Sequence, residues 1–195
     1  MLKTLFLIAL ALCIAIGGGV WSVLFALDHS ASIGATTIGP WIAHPDSGTR
    51  EADPYTRARD ARDGSLALGH AEGIEFRATH DASGAPLSLT CRYRLTGQTP
   101  PARFWTLYAM DEKHRLVKGV GLQKPAVSSL NLLREGEQRH LSLSVGSEPS
   151  AGNWLAISGE GSMQLVLTLY DTPIANRADV SDSALPLIEL VDCNG

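Results

Sequence analysis

The chain has 195 residues, of which 45% are hydrophobic and 18% charged, and its sixteen Lys and Arg stand against twenty Asp and Glu for a formal net charge of −4. No basic tract interrupts this mild acidity, so a nucleic-acid footprint is excluded and no nucleic-acid partner is expected. Once an N-terminal apolar run is set aside, the remainder suits one domain with a full-sized core.

That run comes first. Thr4 to Leu27, "TLFLIALALCIAIGGGVWSVLFAL", carries no charge over 24 residues, enough at about 1.5 Å per residue to span a hydrocarbon layer of about 30 Å. A secretory signal has an apolar region of only about 7–15 residues. The length therefore predicts a retained anchor, with cleavage at the "HSAS" run, His29 to Ser32, as the alternative. Lys3 is the only basic residue before Arg50, which predicts a cytoplasmic N-terminus over residues 1–3, a single pass over 4–27 and a periplasmic ectodomain held at the inner membrane. Trp21 suits the outer interface. Gly17, Gly18 and Gly19 are tolerated in a membrane helix and would let a membrane-protein partner approach closely.

Cys13 lies inside the apolar run, which leaves Cys91 and Cys193 as the pair beyond it. In an oxidising compartment such a pair is expected to bridge, two separate thiols being the alternative.

Residues 28–38 read as a stalk and 39–195 as a β-rich domain, with an irregular lead-in as far as Asp53. Asp53 before Pro54 is a helix-start signal, an N-cap oxygen beside a proline at the first helical position. A short helix is expected through "DPYTRARDARDGSLAL", with Tyr55 and the alanines inward, arginines and aspartates outward, and Gly64 at its end. Beyond residue 72 the period becomes two. In "PLSLTCRYRL" Leu87, Leu89, Cys91, Tyr93 and Leu95 share a face, and the preceding "IEFRAT" is joined to it by "HDASGA" as a hairpin loop. "RFWTLYAM", "RHLSLSV" and "MQLVLTLY" are further strands, the last with Met163, Leu165, Leu167 and Leu169 on one face. Several short strands, one helix and no βαβ rhythm predict a mainly β fold, an antiparallel β-sandwich or jelly-roll-like ectodomain.

Chemistry is sparse. Six histidines form no helical i, i+4 pair and match no zinc spacing. Asp111 with Glu112, and Glu135 with Glu137, read as solvated turn acids. "SGEGS" lacks the strand–turn–helix context of a nucleophile elbow, and Gly119 and Gly121 are too few for a dinucleotide fingerprint. No catalytic residue, metal site or cofactor is expected. The candidate ligand face is Arg92, Arg94, Trp105 and Tyr108, since aromatic rings and planar guanidinium groups suit sugars or acidic ligands; core packing and solvent are the bland alternatives. In "AGNWLAISGEGSMQLVLTLYDTP", Gly152 and Asn153 suit a turn and Trp154 suits burial with Leu155, a structural signature ahead of the final strand.

"DPYTRARDA", "IEFRATHDASGAPLSLTCRYRL", "PPARFWTLYAMD" and "NWLAISGEGSMQLVLTLYDTP", in that order, resemble the domain of unknown function 1214 family, from about Gly39 to Pro173. The resemblance implies a β-rich, jelly-roll-like domain of secreted or membrane-tethered bacterial proteins, here a short anchored member. It supplies no catalytic residues. This chain departs from the family pattern at Ala156, where proline is typical, and around Ser162 and Met163. Three functions remain open at this level: an accessory protein binding a glycan or small molecule, a hydrolase or lyase acting on envelope glycans, and an assembly partner of a membrane complex.

Overall fold

The structure is a computed structural model and describes residues 2–29, 34–133, 140–176, 180 and 183–193. Glu135, Glu137 and the "HSAS" run after His29 lie outside the described residues. Helix α1, Leu2–His29, is continuous through the three glycines. Its stretch Leu2–Leu27 has a mean hydropathy of 2.3 and is exposed as far as Phe25, so it is long and apolar enough to cross a membrane.

Among the described residues ten strands follow in two sheets. β1 (Thr36–Ile38), β2 (Trp41–Ala43), β3 (Gly73–Ala78), β5 (Phe104–Asp111), β6 (Ala126–Ser128) and β9 (Met163–Tyr170) form a six-stranded sheet in the order β1-β2-β3-β9-β5-β6. β4 (Cys91–Gln98), β7 (His140–Gly146), β8 (Trp154–Ala156) and β10 (Leu187–Cys193) form a four-stranded sheet in the order β10-β4-β7-β8. Alternate residues from the two sheets face each other across one apolar core: Phe76, Leu107, Leu165, Leu167 and Leu169 from the larger, Tyr93, Leu95, Leu143, Val145 and Ile188 from the smaller. The expected β-sandwich is what forms, with one short helix and a long apolar helix at the N-terminus.

Several local expectations change. The sheet begins at Thr36, within the stretch expected as stalk, and Trp41 is fully buried with its Nε1 donating to the Pro186 carbonyl at 2.8 Å. "PLSLTCRYRL" keeps its alternation of buried Leu87, Leu89, Tyr93 and Leu95, with Cys91 half-buried, but a turn at Thr90 means that the strand begins at Cys91. "HDASGA" closes a tight loop, with His80 bridged to Pro86. The strands on either side of it then enter different sheets. β8 runs parallel to β7, the one parallel pairing among the described strands. β9 is not the final strand, because β10 follows and pairs antiparallel with β4.

The Cys91–Cys193 bridge is present, and the two residues stand directly opposite in the β10–β4 register. Cys13 is exposed on α1.

Helix α2, Pro54–Asp63, is capped as its sequence implies. Asp53 accepts from the Tyr55 and Thr56 N–H groups at 2.9 and 3.1 Å, and Gly64 ends the helix in the left-handed region at φ 63. Hydrogen bonds from the Thr56 hydroxyl and both amides hold the Asp53 carboxyl below its ordinary value, although burial opposes them. The helix is turned the other way from the expectation. Tyr55 and Ala61 are exposed, Thr56 is its one buried residue, and Ala58, Arg59, Asp60 and Asp63 are half-buried. The face of α2 that packs is polar because what lies beneath it is polar.

Candidate functional site

The side of the six-stranded sheet that faces away from the core is built by strand alternation. In β3, Ile74, Phe76 and Ala78 enter the core, so Glu75 and Arg77 project to the opposite face. In β9 that face holds Gln164, Val166, Thr168 and Tyr170, and in β5 Phe104, Thr106, Tyr108 and Met110. Register then sets rows across three strands. Arg77, Val166 and Tyr108 form one row, and Glu75, Thr168 and Thr106 the next. Neighbouring strands lie about 4.8 Å apart, so an arginine, a glutamate and a tyrosine are brought together from strands far apart in sequence.

This face is not left to solvent. Val166 and Thr168 are 0% and 2% exposed. The C-terminal end of α2 and the segment Gly64–Leu68 wall a cleft of about 240 Å³ over it, lined also by Glu75, Arg77, Tyr108, His114, Thr168 and Tyr170. A smaller hollow of about 90 Å³ shares Asp63, Glu75 and Arg77 and extends toward His44, Ser47 and Arg59. Close backbone contact fixes the wall. Gly48, at φ 76, passes so near Leu68 that a Cβ there would lie 2.6 Å from the Leu68 carbonyl carbon, which only glycine permits. Asp60 ties this segment to the loop that carries Gly48, accepting from the Ser65 and Ser47 hydroxyls at 3.1 and 2.7 Å.

The charges in the cleft are matched to one another. Arg77 Nε donates to Glu75 Oε1 at 2.6 Å, and Arg77 Nη1 is 4.0 Å from Asp63 Oδ2. Asp63 in turn faces His114 Nδ1 and Arg62 Nε, each at 3.5 Å. Burial works against the Arg77 charge, but the charge and hydrogen bond of Glu75, with Asp63 behind it, outweigh this and hold the guanidinium above its ordinary value. Burial, followed by the negative charge of Glu75, pushes the Tyr108 phenol up to about 12, against an opposing pull from Arg77. At neutral pH Tyr108 is therefore a hydroxyl that can both donate and accept. His114 has φ 55 in the turn after β5, the conformation that brings its ring back toward Asp63.

Of the four residues expected as a ligand face, only Tyr108 lines this cleft. Arg92 and Arg94 lie on β4, in the other sheet, and alternate with the core residues Tyr93 and Leu95 so that they point away from the core. Arg92 is engaged there by Asp192, with Nε donating to Oδ1 at 3.0 Å, and by Glu148 at 3.2 Å. Trp105 faces inward, 9% exposed, and borders a different hollow of about 270 Å³ lined by Pro100, Leu132, Leu141 and Asn153 among others. The four residues therefore share no surface, because period-two alternation places side chains on a sheet face but does not say which sheet.

Side-chain hydrogen bonds hold the Gly152-Asn153-Trp154 stretch in place. The Asn153 amide accepts from the Leu133 N–H at 2.6 Å and donates to the carbonyls of Leu133 and Ser142 at 2.8 and 3.1 Å, while Trp154 Nε1 donates to the Gly146 carbonyl at 3.0 Å. Gly152 has φ 82. Trp154 is half-buried, and Leu155 fills the core instead. Asp111 closes a turn by accepting from the Lys113 and Arg115 amides and the Arg115 side chain. Among the described residues no group of three His, Cys, Asp or Glu side chains could hold a metal ion.

Two packed sheets and a polar cleft roofed by one short helix define a β-sandwich, preceded by an apolar helix that suggests a signal anchor or signal peptide and carrying a disulfide of the kind found outside the cytoplasm. Residues 72–174 match the family model described as Protein of unknown function (DUF1214), and the chain belongs to that family. The crystal structure of the VPA0106 protein from Vibrio parahaemolyticus is similar over 74% of this chain and 38% of that one, with 17% identity and a TM-score of 0.56, a likeness of fold. An uncharacterized protein from Burkholderia cenocepacia aligns over 93% of this chain and 52% of its own length, at 16% identity and a TM-score of 0.42. The chain thus spans about two-fifths to one-half of these solved structures. No curated protein is significantly similar to it.

Proposed function

We propose that this protein is a single-pass, N-terminally anchored protein of the cell envelope, with its N-terminus cytoplasmic and its β-sandwich in the periplasm. Its role there is accessory: it binds a small polar ligand in the cleft between α2 and the six-stranded sheet. The observation that supports this best is the array Glu75–Arg77–Asp63–His114 beside Tyr108, arranged around an open hollow rather than sealed against apolar side chains. The charge asymmetry around α1, with Lys3 before it, supports the orientation.

Thermal unfolding of the full-length chain in detergent, screened against common periplasmic metabolites and envelope saccharides, tests the binding role, because a ligand of the native state raises apparent stability. A stabilising compound is expected, with its effect weakened in Tyr108→Phe and lost in Arg77→Leu. A shift that is unchanged in both variants would place the site elsewhere. Intact mass and fractionation test the tether: a chain beginning at Met1 that needs detergent for release is expected, and a mass starting near Ser32 would overturn anchoring.

A further inference from the structure

Resting on the reading of this cleft as the binding site, we infer that its ligand is an uncharged saccharide of about one pyranose ring. Charge is the first argument. Arg77, the arginine that lines the cleft, is already matched within it by Glu75 at 2.6 Å and Asp63 at 4.0 Å, and Asp63 also meets His114 Nδ1 at 3.5 Å. An incoming anion would face two carboxylates and an arginine that is already paired. An incoming cation would find both carboxylates already engaged by that arginine. Either would have to break a partly buried pair, leaving one of its members uncompensated, which is costly in a low-dielectric site. A neutral ligand disturbs none of these pairs.

Hydrogen-bonding capacity is the second argument. A guanidinium has five N–H donors and a carboxylate about four acceptor positions, so the Arg77–Glu75 contact leaves most of both unspent. Tyr108 and Tyr170 add hydroxyls that serve in either sense, the Tyr108 phenol also meeting the buried Thr168 hydroxyl. Donors and acceptors that alternate over a few ångströms match vicinal hydroxyl groups, each of which also donates and accepts. A carboxylate or phosphate ligand would require donors alone.

The third argument is shape. Tyr108 and Tyr170 lie on the same sheet face, on adjacent strands, and line the cleft together with Met110 and Thr168. Aromatic rings that are apolar on their faces and polar at their tips suit the mixed surface of a pyranose. At about 240 Å³ the cleft falls below the roughly 300–1,000 Å³ of pockets for drug-sized ligands.

The test is calorimetric titration of the full-length protein in detergent with matched probes: methyl hexopyranosides of gluco, galacto and manno configuration, and the uronic acid and 2-amino counterpart of each. At least one neutral glycoside is expected to bind at least tenfold more tightly than its charged counterparts. Glu75→Gln, which keeps the side-chain shape but leaves Arg77 with less opposing charge, is expected to shift the preference toward the uronic acid. Tyr108→Phe is expected to weaken the neutral glycoside without that shift. If a charged counterpart binds wild type as tightly as its neutral parent, or if only a non-saccharide binds and Arg77→Leu abolishes it, the ligand class is overturned while the cleft remains the site. If no probe binds and the wider metabolite screen is also flat, both readings fall.

Discussion

Arg77 and Tyr108 stand in one row across the six-stranded sheet, separated by the single residue Val166 of the strand between them. Burial and the neighbouring Glu75 carboxylate keep the Tyr108 proton in place up to about pH 12, whereas a tyrosine in an unfolded chain loses its proton near pH 10. The stabilisation that follows is complete below about pH 10 and fades as the pH rises toward about 12. Denaturant unfolding across that interval should therefore show a steeper alkaline loss for wild type than for Tyr108→Phe, and ultraviolet titration should show that the variant lacks the last tyrosine to ionise. Parallel stability curves for the two proteins would show that Tyr108 titrates normally.

Asp81 makes the opposite prediction at acid pH. Its buried carboxylate accepts from the Ser83 hydroxyl at 2.6 Å and from the Ser83 and Ala85 amides at 2.8 and 3.0 Å. The Ser83 hydroxyl, followed by the amides and against the pull of burial, holds it below its ordinary value. Its contribution is full above about pH 4 and is lost as the pH falls through the depressed value. Asp81→Asn should cost about 2 kcal/mol at neutral pH, and the gap to wild type should narrow in denaturant titrations as the pH falls below about 4. A gap that stays constant over that range would refute the linkage.

Asn153→Ala removes three hydrogen bonds from a buried site and leaves the Leu133 amide and carbonyl without this partner. A loss of about 2–3 kcal/mol is expected, with Asn153→Asp, which accepts but cannot donate, also destabilised. Chemical denaturation of the three proteins checks this, and wild-type stability in the alanine variant would remove Asn153 from the structural account.

Cys91 and Cys193 are 102 residues apart in sequence. The chain-entropy model assigns a cross-link of that span roughly 4–5 kcal/mol. Cys91→Ser and Cys193→Ser should each lower the melting temperature under oxidising conditions by the same amount, and the double variant should be no worse than either. Adding a reductant should bring wild type down to the variants. Unequal single variants would mean that one of the cysteines contributes through packing rather than through the bond.

What could be read along the chain was what is decided locally. The Asp53–Pro54 start and the Gly64 stop of α2 depend on a few consecutive residues, and both are found where expected. β5, β7 and β9 announce themselves by alternation. β1 and β2 are three residues each, too short for any period to register. β10 was missed for a different reason: at the sheet edge, with a register shift between Leu190 and Asp192, it buries Ile188 and leaves Leu187 and Leu190 exposed, so its pattern is not that of a half-buried strand. The orientation of α2 is a tertiary matter, since Tyr55 would face a core only if a core lay beneath it. The cleft was hidden for the same reason. Glu75 and Arg77 alternate with Ile74 and Phe76 like any solvent-facing pair, and only the placement of Asp63 over them shows otherwise. A pair of opposite charges two apart on a strand, in a chain that also has a charge-rich helix with no apolar face, is the signal that could have suggested the arrangement.

The position of β9 bears on how the molecule comes into being. This strand lies between β3 and β5, so Gly73 finds its partner only at Tyr170 and Asp111 only at Met163. Closing such long loops is entropically expensive before any contact rewards it, and chains dominated by distant pairings fold slowly. The centre of the larger sheet is missing until about residue 170 has been delivered, and the Cys91–Cys193 bond must wait for the last few residues after that. A chain that emerges N-terminus first therefore holds β3 and β5 unpaired on their inner edges while the residues between Asp111 and Met163 are delivered, and maturation is governed by the arrival of β9.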